Sequence, residues 1–400
     1  METFEYQLPR QAVALIKPDG LLTDMEIEMK RRDLLKTLAA GVVGAGIPGT
    51  GYSAGNTRDI VEHDFSGHGK KATFEKVTAP SDVGLVKGED GRDNTFKALK
   101  SIEDKVMADL DGKKRILIKP NFVVVDNPLA ATSVESVRGI LDFIRPRFKG
   151  SIEIGESSTA GGRGYSDGTE SSYDGFRNYG YLPLEKEYGV KLVDLNLDST
   201  VNHFILNSNG NKPQRIRIIS KFLDKDMYLV SAGKMKTHNC VLVTLSLKNI
   251  LMAAPVNDYK TSSDKALMHC WDLEHFSKDM MDARTKDVVL HYNLFQLSQI
   301  VYPDLGVVDA FTAMEGDGPV EGTPVECKLA LASTDPLALD TLGTKIMGFD
   351  PTEIMYLSSM NEAGLGQGDL DKINVVGANL EECLFKFKPH HIIARAYGLG

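Results

Sequence analysis

Between Gly233 and Asn249 the chain reads G-K-M-K-T-H-N-C-V-L-V-T-L-S-L-K-N, which gathers Lys234, Lys236, His238, Lys248 and Asn249 behind the apolar run Met227–Val230. Ammonium groups desolvated side by side repel one another, so a fold that collects these lysines requires an anionic ligand, acidic neighbours or retained water. Lysine is a compact point charge suited to phosphate or polycarboxylate. His238 adds a group whose ordinary pKa lies near neutrality, fit for general acid–base work or for metal ligation. On this reading His238, Lys236, Lys248 and Asp309 are the catalytic candidates.

The expected ligand-binding set is Lys119, Asn121, Lys234, Asn249, Ser157 and Ser158. Lys119 closes the apolar run at 116–119, Pro120 then ends any ladder, and Asn121 presents an amide. Ser157 and Ser158 open the loop G-E-S-S-T-A-G-G-R-G at 155–164, whose hydroxyls and N–H groups can cradle an anion. That loop fits neither the Walker pattern nor the dinucleotide fingerprint, and a merely connecting loop fits it as well. Asp309, Glu315, Asp317 and Asp340 form the acidic counterpart, able to pair with the lysines, act as a base or hold a hard cation such as Mg²⁺. Glu315 and Asp340 are the metal candidates; E-G-D-G-P at 315–319 also reads as a tight turn.

Such residues act together only if strand ends bring them together. The hydrophobic period alternates between helical and extended along the chain, which predicts an α/β fold: a mostly parallel open sheet flanked by helices, with a helical insertion. Strands are expected at 115–125, 151–155, 191–195, 227–232, 305–311 and 325–332, with a hairpin over 202–219 turning at Asn209–Gly210. Phe96, Leu99, Ile102, Val106 and Leu110 mark one helix face, Thr132 and Glu135 a capping box ahead of another, and Asp335–Pro336 a third helix start that carries Asp340. Residues 1–56 read as an N-terminal extension with an export signal, 57–92 as an exposed arm, 93–385 as a single α/β domain and 386–400 as a tail. Within the domain, 257–286 is the insertion. It holds His269, Cys270, Trp271, Asp272, Glu274 and His275; the two histidines point apart on a regular helix, so a gate over the pocket suits the segment better than a metal cluster.

Composition narrows the function classes. A 400-residue chain with 42% apolar residues can bury a large core, and its net charge of −9 argues against nucleic acid as a partner, because phosphate neutralisation needs a broad excess of Lys and Arg. Cys240, Cys270, Cys327 and Cys383 lie far apart without cluster spacing, so no iron–sulfur cluster is expected in this chain. Lys30-Arg31-Arg32-Asp33-Leu34-Leu35-Lys36 followed by the weakly apolar Thr37–Ile47 is a twin-arginine pattern. It implies passage through the twin-arginine translocase to the periplasm, with tethering if the signal stays uncleaved; Met29 is an alternative start.

Taken in order, I-K-P-N at 118–121, K-M-K-T-H at 234–238, S-L-K-N at 246–249, D-A-F-T-A-M-E-G-D-G-P at 309–319, S-T-D-P-L-A-L-D at 333–340 and G-L-G at 364–366 resemble the family called domain of unknown function 362. The resemblance covers about residues 110–380. It implies an α/β fold, an association with redox or cofactor biology and often an appended ferredoxin module, whose cysteine spacing this sequence does not show. The residues themselves point to an enzyme with a Lys/His/carboxylate cleft acting on a phosphorylated or carboxylated small molecule, with or without a divalent metal. The alternative is a non-catalytic cofactor-binding or maturation factor for a redox system.

Overall fold

The computed structural model describes residues 69–159, 171–207, 212–258, 263–269, 283–397 and 399. The twin-arginine segment, the glycines at 161–164, the Asn209–Gly210 turn and Cys270–His275 lie outside the described residues. Among the described residues there are eleven strands: β1 (Ser81–Lys87), β2 (Arg115–Lys119), β3 (Ser151–Glu156), β4 (Lys191–Asp194), β5 (Thr200–Leu206), β6 (Pro213–Ile219), β7 (Met227–His238), β8 (Leu242–Thr244), β9 (Leu305–Glu315), β10 (Thr323–Ser333) and β11 (Ile373–Gly377). Nine of them form one sheet in the order β11-β1-β10-β9-β7-β2-β3-β4, with β8 paired to β7, while β5 and β6 make a separate antiparallel ribbon. The pairs β7–β9, β7–β2, β2–β3, β3–β4 and β1–β11 are parallel; β1–β10, β10–β9 and β7–β8 are antiparallel.

Helices cover both faces, and for that reason the central strands read as continuous apolar runs. Ile116 and Ile118 join Tyr228 and Val230 in the core on one face, while Leu117 and Leu229 belong to the core on the other. This is the period of 2 that a strand imposes on its side chains. Helix Val134–Ile144 links β2 to its parallel neighbour β3, and helices Ser172–Asn178 and Leu184–Tyr188 link β3 to β4.

Several sequence expectations need correction. Ser81–Lys87, placed in an exposed arm, is an inner strand between β11 and β10, with Val83 and Leu85 fully buried. Its polar start and its glycine hid it: a Cβ on Gly84 would stand 2.4 Å from the Ala98 carbonyl oxygen, so the glycine admits helix Gly91–Ser101 against the strand. The helix drawn through Phe96 and Leu110 breaks at Ile102 into Gly91–Ser101 and Glu103–Leu110. Ser133, and not Thr132, caps helix Val134–Ile144. The Thr132 hydroxyl is already committed, accepting from Asn121 N–H and donating to the Ala232 carbonyl. β2 stops at Lys119 because Pro120 cannot continue the ladder. The segment taken as a tail contains helix His391–Tyr397, and Phe387 and Ile393 pack into the core.

The most consequential difference lies in β7. It was expected to end at Ala232, yet all twelve residues from Met227 to His238 are extended and buried. Lys119, the last residue of β2, pairs with Ser231, so β7 overhangs its neighbour from Ala232 onward. Lys234, Lys236 and His238 therefore lie within a strand. β8 folds back on this overhang, pairing Lys236 with Thr244 and His238 with Leu242. Leu242 closes the turn at φ 66, a left-handed conformation that costs a branched residue strain and that clusters at functional sites.

Candidate functional site

A cavity of about 100 Å³ opens where β2 and β3 end, beside the β7 overhang. Open α/β sheets place ligands at the carboxyl ends of their strands for the reason seen here: the ladders stop and the loops splay. Its wall includes Lys119, Asn121, Glu156, His238, Thr244 and Lys248, together with Lys265 and His269 from the insertion.

Asn249 organises one wall. Its amide donates to the Lys119 carbonyl and to Ser231 Oγ, each at 3.0 Å, and its Oδ1 accepts from Lys119 Nζ at 2.7 Å and from Asn121 Nδ2 at 3.0 Å. Both donors and both lone pairs of the side chain are thereby used. The Lys119 ammonium also meets Glu156 Oε1 at 3.0 Å, and Glu156 receives the N–H groups of Phe122 and Ser157. Burial pushes Lys119 down and Glu156 up from their ordinary values, while their mutual attraction opposes both shifts. Asn121 Oδ1 is buried with no protein partner among the described residues.

Lys248 precedes Asn249 in helix Ser246–Leu251 and behaves differently. It is 6% exposed, and no carboxylate or carbonyl meets its ammonium among the described residues. Burial lowers its pKa to about 8, with the cation of Lys119 adding to the shift and Cys240 opposing it. Thr244 is also buried, and its hydroxyl is likewise without a protein partner among the described residues.

His238 and His269 stack with ring centroids 5.9 Å apart. Cys240 N–H donates to His238 Nδ1 at 3.0 Å, which leaves the proton of the neutral ring on Nε2. His269 is the opposite tautomer, because its Nδ1 lies 2.9 Å from the Lys265 carbonyl, which can only accept. Burial, reinforced by the Lys248 charge, pushes His238 well below its ordinary value and His269 down to about 4. The expectation that His238 titrates near neutrality is therefore corrected: it is a neutral N–H donor.

The lysines divide into roles. Lys119 and Lys248 line the cavity and Lys234 and Lys236 do not. Lys234 pairs with Asp309 at 3.0 Å, and Asp309 also receives Ser133 N–H and Phe311 N–H. Lys236 is fully buried, donates to the Ala130 carbonyl at 2.6 Å, and is held far below its ordinary pKa by desolvation and by Lys248, Lys234 and Lys119. Lys265 reaches Ser157 Oγ and the carbonyls of Met252, Ala253 and Pro255 at 2.7–3.1 Å, tying the insertion to the cavity wall. Ser157 lines the cavity but gives its proton to Ala253 O; Ser158 lies off the cavity wall, its N–H on Ser172 Oγ.

The acidic candidates are not brought into the cavity. Asp340 is fully buried and accepts from Ser246 N and Leu247 N, each at 2.8 Å, which anchors the helix that carries Lys248; burial raises its pKa to about 8. Glu315 accepts from Lys388 N at 2.9 Å. Each of the two metal candidates is thus engaged by backbone amides in a different place. Asp317 joins His390 and His391, the group of three ligand-type residues within 4.8 Å among the described residues, and it binds the first N–H of helix His391–Tyr397. Sequence reasoning missed Glu156, Thr244, Lys265 and His269 as wall residues. Glu156 had a usable signal, a carboxylate on the last residue of a strand.

The fold and the cavity define an α/β protein with a lysine-lined cavity at the carboxyl ends of its central strands. The chain belongs to the domain of unknown function family DUF362, whose profile matches residues 116–345, a span that contains every cavity-lining residue. It is 25% identical over 254 residues to a thylakoid-associated protein of Synechocystis sp., covering 63% of this chain and 68% of that protein. A crystal structure of a Thermotoga maritima protein aligns over 62% of this chain and 57% of its own length, less than two thirds, at 12% identity and a TM-score of 0.34.

Proposed function

We propose that the cavity binds a small carboxylated or phosphorylated anion and that the protein acts on it as an enzyme, Lys248 neutralising the acid group and His238 donating from Nε2 to an oxygen where negative charge develops. The observation that carries this reading is the Lys248 ammonium, buried at 6% exposure on the cavity wall without a counter-ion among the described residues. A buried cation is stable only when paired or when its proton is lost, and an anion supplies the pairing. A neutral imidazole with a fixed N–H serves as an electrophile without the desolvation cost of an imidazolium. Asn249 and the Lys119–Glu156 pair hold the wall in place, so the donors are set before the ligand arrives.

Sulfate and phosphate should raise the unfolding temperature by mass action, and Lys248→Met should remove that rise. Stabilisation that persists in Lys248→Met would place the anion elsewhere. The twin-arginine pattern supports work in the periplasm after export: Arg31→Lys with Arg32→Lys should hold the protein inside the cell, and unchanged periplasmic yield would end that part of the proposal.

A further inference from the structure

Two residues of the same wall, Asn121 and Thr244, each carry a side-chain oxygen without a protein partner among the described residues, and they point to a second feature of the ligand. The amide of Asn121 is oriented by its neighbours: Asn249 spends its Nδ2 on Lys119 O and Ser231 Oγ, so its Oδ1 needs a donor, and Asn121 supplies Nδ2. That leaves Asn121 Oδ1 as a fixed acceptor at a residue 6% exposed, with no protein donor in reach among the described residues. Thr244, 2% exposed, presents a hydroxyl in the same condition. Buried polar atoms are nearly always satisfied, and the three residues Asn121, Thr244 and Lys248 all line one cavity, each with a polar group that meets no protein partner among the described residues, a pattern that one occupant can meet. A bare carboxylate or a fully ionised phosphate monoester can satisfy Lys248 and His238 Nε2–H, but it brings no donor for Asn121 Oδ1.

We infer that the occupant is an anion that carries its own hydroxyl group close to the acid group, a small hydroxycarboxylate or hydroxylated phosphate, read by Asn121 Oδ1 and Thr244 Oγ1. The inference rests on the anion-binding reading above and adds the hydroxyl. An amine could also donate to Asn121, yet its charge would stand among Lys119, Lys248 and Lys265, with Glu156 as the one carboxylate on that wall among the described residues. Like charges at such a range oppose it, and a hydroxyl meets no such penalty. The cavity of about 100 Å³ is several times the roughly 10–15 Å³ that one water needs on the same measure, so it has room for an occupant larger than water.

Paired ligands that differ by one hydroxyl test this by titration calorimetry on the full chain: acetate against glycolate, and ethyl phosphate against 2-hydroxyethyl phosphate, with glycine as the amine control. The hydroxylated member of at least one pair should bind roughly tenfold tighter, the scale of one neutral hydrogen bond. Which pair binds separates carboxylate from phosphate. Thr244→Val keeps the side-chain shape and breaks no protein hydrogen bond among the described residues, so it should shrink the affinity ratio within the pair; Thr244→Ser should restore it. Equal binding within both pairs overturns the hydroxyl inference and leaves the anion reading standing, the orphan oxygens then being served by water. Glycine binding as tightly as glycolate also overturns it. Binding of none of these ligands overturns the anion reading and this inference with it.

Discussion

Lys119 and Asn249 are bound to each other in both directions: the Lys119 ammonium donates to Asn249 Oδ1 at 2.7 Å, and the Asn249 amide donates back to the Lys119 carbonyl at 3.0 Å. The pair lies 130 residues apart in sequence and locks the end of β2 to helix Ser246–Leu251. Lys248 is the neighbour of Asn249, so its position in the cavity depends on that lock. Asn249→Ala strips four hydrogen bonds and leaves buried donors exposed to an apolar methyl. A stability loss of about 3 kcal/mol is expected by urea unfolding, since each buried orphan costs roughly 1–3 kcal/mol and the losses do not add fully. A loss below about 1 kcal/mol would mean that water replaces the amide and that the lock is weak.

The Lys248 ammonium predicts a pH profile. Its pKa of about 8 lies below its ordinary value of 10.5, so between those pH values the unfolded chain holds more protons than the folded one. Stability contributed by this group therefore rises with pH across that window and is lost as pH falls toward 8. A bound anion favours the charged form and draws a proton in. Sulfate affinity should be flat below about pH 7 and fall by up to tenfold per unit above about 8, with proton uptake visible as buffer-dependent heat. Lys248→Met should be as stable as wild type or more so at pH 7, by up to about 3 kcal/mol, and should lose the alkaline rise. A pH-independent affinity would show that another group carries the charge.

Asp340 predicts the opposite slope. Its folded pKa is raised from 3.8 to about 8, so its contribution is complete below about pH 4 and is lost as pH rises toward 8. Asp340→Asn removes the titration and one of two acceptors for the helix amides. At pH 5 the variant should be less stable by about 1–2 kcal/mol, and the gap should narrow by pH 8. Ligand binding should weaken as well, although Asp340 lies off the cavity wall, because it seats the helix that carries Lys248. A gap that widens with pH would contradict the raised carboxyl.

His238 separates binding from chemistry. An Asn side chain can place its Oδ1 near the Nδ1 position, where it accepts Cys240 N–H as His238 now does at 3.0 Å, but it lacks the Nε2 donor. His238→Asn should therefore keep the hairpin and most of the stability while turnover of a cavity ligand falls by 10²-fold or more, the scale of one lost oxyanion donor. Unchanged turnover would favour the carrier reading, in which the ring only packs against His269.

The α/β class, the strand-ending position of Lys119 and the helix start at Asp335–Pro336 were legible in the sequence, because apolar period, proline and capping residues act over a few residues and leave a local trace. So was the grouping of Lys234, Lys236, His238, Lys248 and Asn249, which are close in sequence. Their division of labour was not. Whether a lysine meets Asp309, as Lys234 does, the Ala130 carbonyl, as Lys236 does, or no carboxylate or carbonyl among the described residues, as Lys248 does, depends on register between strands and on how far β7 overhangs β2. Asp340 looked like a metal ligand for the same reason: a carboxylate's partner there comes from residues 93 and 94 positions away along the chain. Glu156, Thr244, Lys265 and His269 enter the wall through long-range packing, and β1 was missed because its place inside the sheet comes from pairing with β10 and β11, strands more than 200 residues later in the chain. Local chemistry named the groups; desolvation, which only the tertiary structure sets, decided which of them remained unsatisfied.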